Sequence, residues 1–156
     1  MKSLIKSKVW RVPLVSILTG IIISIITSAY IYFIVKGTNV WTLEMGNTIL
    51  WMNIIVAVVL FLITGIFCFR DMDKTDIAKS AIIVALYYIV IVAFEQLLVS
   101  MGQYPSILLW LFIPVRLYSV IHQVFVRFTE ISVWIGLLPS IIAPFLYVIF
   151  GKRRIK

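Results

Sequence analysis

The sequence predicts an all-α polytopic membrane protein. One membrane domain over 1–156 is expected to hold four transmembrane helices, with an amphipathic, partly re-entrant interfacial helix between helices 3 and 4. Three observations predict it. Hydrophobic residues make up 63% of the chain and its mean hydropathy is +1.13, whereas soluble domains are about 45–50% apolar. No charged residue or histidine occurs from Val12 to Val35, from Met45 to Phe69 or from Ile131 to Gly151, and Glu95 alone interrupts Ser80 to Val115. The basic residues also sort by segment. Lys2, Lys6, Lys8 and Arg11 precede the first run, Arg70, Lys74 and Lys79 separate the second from the third, and Lys152, Arg153, Arg154 and Lys156 follow the last.

About 20 apolar residues cross the hydrocarbon core, so three of the runs are single crossings. Helix one is expected at 13–35, with Pro13 in its first turn, where the missing N–H is harmless. Lys36-Gly37-Thr38-Asn39 should stop it, and an outer loop carries Trp41 and Glu44. Helix two is placed at 48–69 and helix three at 77–99, with Asp73 or Thr75 as N-cap and Gly102 as terminator. A crossing over 103–130 would throw the Lys152–Lys156 cluster to the opposite side, so 105–129 is read as the interfacial segment. On a helical wheel Arg116, Ser119, Gln123, Arg127 and Glu130 fall within an arc of about 80°, opposite Leu117, Ile121, Val124, Phe125 and Phe128. The stretch Ser106–Ile113 is too short to cross and is expected to dip in against protein. Helix four is placed at 131–150, kinked by Pro139 and Pro144.

With four crossings, eleven of the fourteen basic residues share a side with Asp71, Asp73 and Asp76, and that side carries the whole formal charge of +8. The positive-inside rule then places both termini and the 70–79 loop in the cytoplasm. On the outer side Lys36, Arg116 and Arg127 balance Glu44, Glu95 and Glu130. The basic balance thus implies anionic inner-leaflet lipid as a partner, not nucleic acid. Aromatic residues mark both boundaries, Tyr118 and Trp134 among the outer set and Tyr147 and Phe150 among the inner. The first apolar run exceeds a signal-peptide core and is read as an uncleaved crossing. Cys68, the single cysteine, allows no intramolecular disulfide and suits a small packing role. Isoleucine far outnumbers alanine, which points to a bacterial cytoplasmic membrane.

Two features carry functional expectations. Ser16, Gly20, Ser24 and Ser28 form a file of small residues at every fourth position of helix one, with Ala81 and Ala85 as a weaker counterpart in helix three. Such files let helix backbones approach closely in lipid, within the bundle or against a partner membrane protein or second copy. The other feature is polar. Glu95 stands eighteen residues beyond Ile77, about 27 Å along helix three, level with Asn53 and beside Gln96. An embedded carboxylate needs a partner, so Glu95 is expected to ion-pair with Arg116 and pin the surface helix. The alternative is an outer-leaflet pocket of Asn53, Glu95, Gln96, Arg116 and His122 for a lipid head group, quinone or small cation.

One histidine and one cysteine exclude most metal sites, and the Asp71, Asp73, Asp76 spacing lacks the glycine and final Glu of a calcium loop. No nucleophile elbow, CxxC, HExxH or P-loop occurs. No catalytic constellation, metal or cofactor is therefore expected; a lipid-interface enzyme would have only Glu95 and His122 to use. The leading expectation is a non-enzymatic accessory or structural subunit packing against partner transmembrane helices. A small transporter, channel-forming oligomer or lipid-binding protein using the Glu95 region is the alternative.

Overall fold

The computed structural model describes residues 8–38, 40–129 and 132–153. Lys2, Lys6, Asn39, Glu130, the Ile131 start of helix four, Arg154 and Lys156 lie outside the described residues. Three long helices frame the molecule. After a 3₁₀ turn at Lys8–Trp10, α1 runs over Arg11–Thr38, α2 over Leu43–Phe69 and α3 over Lys74–Ser100. Each is about 40 Å long, and each is long and apolar enough to cross a membrane. Phe33, Ile55, Phe67 and Val90 stand exposed on their outward sides, a surface suited to lipid rather than water.

Local chemistry sets the ends. α1 continues through Thr38, past the expected stop at Lys36. α2 begins at Leu43 because Thr42 caps it, its hydroxyl accepting from Met45 N at 3.2 Å. Glu44 is therefore a first-turn residue, not a loop residue, and its carboxylate meets the positive end of the helix dipole. Asp73 holds the N-cap position of α3, its carbonyl accepting from Asp76 N and Ile77 N at 3.0 and 3.1 Å. α3 ends as expected at Gly102. Its φ of +71° lets Gly102 N reach Val99 O and Gln103 N reach Leu98 O, both at 2.9 Å.

The segment after α3 departs most from the sequence reading. It folds as a short helix α4 (Ile107–Leu111), a 3₁₀ turn at Ile113–Val115 and a helix α5 (Arg116–Phe128). Tyr87 of α3 donates to Leu111 O at 2.9 Å, and Arg116 donates to Ser24 Oγ of α1 at 3.2 Å. Ile113 presses its carbonyl onto Gly20, where a Cβ would overlap it. Tyr87 and Ser24 each lie thirteen residues into their helices, so the turn sits about 20 Å along, level with the middle of the bundle. The other end of α5 returns to the start of α2: Phe128 meets Trp51 at 5.9 Å, and Arg127 donates to Asn47 Oδ1 at 2.7 Å. α4, the turn and α5 thus form a helical hairpin whose turn packs among the long helices. The two-sided pattern of α5 is real. Leu117, Tyr118 and Val120 are buried, while the polar side turns to a cavity.

The chain finishes with α6 (Val133–Ile142) and a 3₁₀ helix at Ala143–Phe150, not one continuous kinked helix. Pro144 brings no N–H to an α-helical ladder, and the stretch tightens. One aromatic expectation is also corrected. Tyr118 and Tyr147 are 2% and 0% exposed because each hydroxyl is satisfied inside; Tyr118 lies well below the expected outer level, whereas Tyr147 packs on Phe69 near the basic end. Tyr118 meets Ser16 Oγ at 2.6 Å and Tyr147 meets Thr64 Oγ1 at 2.8 Å.

One end of the bundle gathers the basic segments. Arg11 Nη1 reaches both Asp71 oxygens at 2.6 and 2.8 Å and the Cys68 carbonyl at 3.3 Å. Lys8 pairs with Asp76 at 3.5 Å. Lys152 N donates to Met72 O at 2.8 Å, and Lys74 N donates to Lys152 O at 3.2 Å. Lys8, the 70–76 loop and Lys152 therefore share that end. Arg11, by its hydrogen bond, holds the Asp71 carboxyl below its ordinary value of 3.8.

Candidate functional site

Helical spacing builds the site. On α3, Tyr88, Val92, Glu95 and Gln96 recur on one face, and on α5 Arg116, Ser119, His122 and Gln123 do the same. These two faces, with Tyr104, Leu109 and Phe112 on the α4 side and Trp134 and Leu137 from α6, enclose a cavity of about 490 Å³. Arg116 belongs to the hairpin turn at mid-bundle. Glu95 lies seven residues beyond Tyr88, about 10 Å further along α3. The guanidinium is at the floor of the cavity and the carboxylate is toward its mouth, at the end opposite the basic segments.

Of the predicted site residues, Glu95, Gln96, Arg116 and His122 line this cavity and Asn53 does not. Asn53 is 6% exposed on α2, where its Oδ1 accepts from Thr27 Oγ1 of α1 at 2.7 Å. Because α2 starts at Leu43 rather than Thr48, Asn53 lies ten residues into it, facing α1 rather than the cavity. The expected Glu95–Arg116 ion pair is also corrected: no contact within 4.0 Å joins them, and each holds one neutral partner instead. Glu95 Oε1 accepts from Tyr104 at 3.4 Å and Arg116 donates to Ser24. Burial first, and Glu95 second, push the Tyr104 phenol above its ordinary value. His122 packs against α6 at Gly136, where a Cβ would lie 3.6 Å from Nδ1, and that nitrogen is buried without a hydrogen-bond partner. The same ring borders a second cavity of about 520 Å³ beside Asn47 and Arg127.

Ser119 and Gln123 were legible as members of the polar arc. Tyr88 carried no signal, since it sits in an unbroken apolar run. The small-residue file of α1 is occupied by this chain's own hairpin: Ser16 meets Tyr118, Gly20 meets Ile113 and Ser24 meets Arg116. Ser28 is exposed, whereas Ala81 and Ala85 are buried in α3. Asp71 and Asp76 are engaged by Arg11 and Lys8. Among the described residues no three of His, Cys, Asp and Glu converge as metal ligands. No protein-family model matches the chain, and neither a curated relative nor a similar solved structure was found. What the fold defines is an all-helical protein with three helices fit to cross a membrane and a cavity that holds an acid and a base apart.

Proposed function

We propose that this is a small, non-enzymatic integral membrane protein of four crossings that takes a polar ligand from the outer face into the α3–α6 cavity. One observation carries the reading. Glu95 and Arg116, both half-buried, line a single cavity and are not paired with each other, and charges set among apolar helices are functional by default. The fourth crossing is supported by length: ten α-helical and eight 3₁₀ residues together rise about 31 Å, the thickness of the hydrocarbon core. Cytoplasmic termini are supported by the meeting of Lys8, the 70–76 loop and Lys152 at one basic end. A vestibule reaching the middle of the bundle suits a binding site or the outer half of a transport path. The bacterial cytoplasmic membrane is its proposed location.

The test is thermal unfolding of the purified chain in mild detergent, screened against small anions, cations, zwitterions and quinones. Stabilisation by a ligand that Glu95→Gln abolishes, with helical content unchanged, supports the reading. Loss of the folded protein on that substitution would instead assign Glu95 a structural role.

A second reading, the accessory subunit, rests on an apolar cleft of about 680 Å³ along α1, bordered by Ile17, Ile21, Ile25, Ser28 and Trp110. A partner transmembrane helix or a second copy would fill it. Mild-detergent purification should then recover a stable assembly, and a monodisperse monomer counts against this reading.

A further inference from the structure

Arg116 and Glu95 line one half-open cavity, yet neither has a counter-ion among the described residues. Both side chains are half-buried, and charges bordered by apolar helices seek opposite charges. An anion in this cavity would satisfy Arg116 and be repelled by Glu95; a cation would do the reverse. Only a ligand with both charges serves both side chains, its anionic end inward and its cationic end toward the mouth. The guanidinium fork matches the oxygens of a phosphate. Near the mouth, the Tyr104 and Trp134 rings line the cavity beside Glu95, and aromatic faces attract an ammonium group. The walls are mixed: Val92, Leu109, Phe112 and Leu137 offer apolar surface to the carbon linker of such a molecule, and Gln96, Ser119, His122 and Gln123 offer polar groups to its esters.

Resting on the ligand-binding reading above, we propose that the ligand is a phosphate–ammonium zwitterion, with its phosphate on Arg116 and its ammonium at Glu95. The chemistry is that of a phosphoethanolamine group, free in water or carried as a lipid head group.

The experiment titrates the full chain in a non-ionic detergent and reads the thermal unfolding midpoint. The probes are phosphoethanolamine, dihexanoyl phosphatidylethanolamine below its micelle concentration, inorganic phosphate, ethanolamine and dihexanoyl phosphatidylglycerol. Phosphoethanolamine or the zwitterionic lipid should stabilise saturably, at concentrations at least about tenfold below those needed for either single-charge probe. Response to the lipid alone identifies a membrane source; response to both admits the free molecule. Glu95→Gln should erase the preference for phosphoethanolamine over phosphate. Arg116→Lys should weaken every phosphate-bearing probe by about tenfold or more. Circular dichroism checks each variant, and the Glu95→Gln series decides alone if Arg116→Lys does not fold. Equal response to phosphate and phosphoethanolamine, or a preference untouched by Glu95→Gln, overturns the zwitterion while leaving ligand binding intact. A ligand of another class found in the wider screen does the same. If no compound of any charge type stabilises the chain, both readings fall.

Discussion

Gly20 shows how one atom directs the packing. The group opposite it is the Ile113 carbonyl, part of a backbone turn that cannot rotate away, so Gly20→Ala should lower stability by about 1–3 kcal/mol. Gly46→Ala, whose nearest neighbour is a Trp41 ring atom at 4.0 Å, meets no clash and should hold or raise the unfolding midpoint through the better helix propensity of alanine, and serves as the control. Tyr118→Phe removes the hydroxyl that meets Ser16 and should cost about 1 kcal/mol in the same assay. At the basic end the pH dependence has a definite sign. The Asp71 carboxyl titrates below 3.8 in the folded protein. Its contribution is therefore present above that value and is lost as pH falls through the lowered one. The Asp71 side chain is 61% exposed, and solvent screening keeps the contribution to about 1 kcal/mol at most. The stability difference between the native chain and Asp71→Asn should hold steady near neutral pH and shrink toward zero in acid below 3.8. Residue type alone flagged Glu95, Gln96, Arg116 and His122, because polar groups stand out in apolar runs. Asn53 stood out equally, and its hydrogen bond to Thr27 was hidden, because distance along a helix says nothing about which neighbour it faces.

At the level of elements, α5 is the instructive case. A polar arc opposite an apolar side describes a helix lying on a membrane and also one lining a wet cavity, so the wheel gave the faces but not what each of them meets. The evident cue was Pro114, which marks the turn between α4 and α5, together with a file of small residues on α1 that needed an occupant. The groove was legible; the identity of what fills it required three dimensions. Val120 sits on the packed side of α5 at 5% exposure. Val120→Asp should destabilise by about 3 kcal/mol or more by burying an unpaired carboxylate, whereas Gln123→Asp, at an exposed position, should leave the unfolding midpoint nearly unchanged. Equal effects would mean that α5 has no packed face. The break between α6 and the 3₁₀ helix was foreshadowed by Pro139 and Pro144, but a proline pattern does not distinguish a kink from eight residues of tighter winding.

Across the whole molecule, hydropathy and charge carried the reading. Two uncharged runs and the run broken only by Glu95 became the three long helices, and the basic segments on either side of them meet through Arg11–Asp71, Lys8–Asp76 and the Lys152 backbone. Tags on the two tails should accordingly be found on the same side of the membrane. The most direct test of the charged vestibule is labelling of single cysteines on α5, in a Cys68→Ala background, by a membrane-impermeant maleimide applied from outside intact cells. Gln123→Cys should react fastest and Ser119→Cys more slowly, while Leu117→Cys and Val120→Cys, on the packed face, stay unlabelled. Labelling of Val120→Cys as fast as Ser119→Cys, or a Ser119→Cys that never reacts, would show that no water-filled cavity leads down this helix toward Arg116.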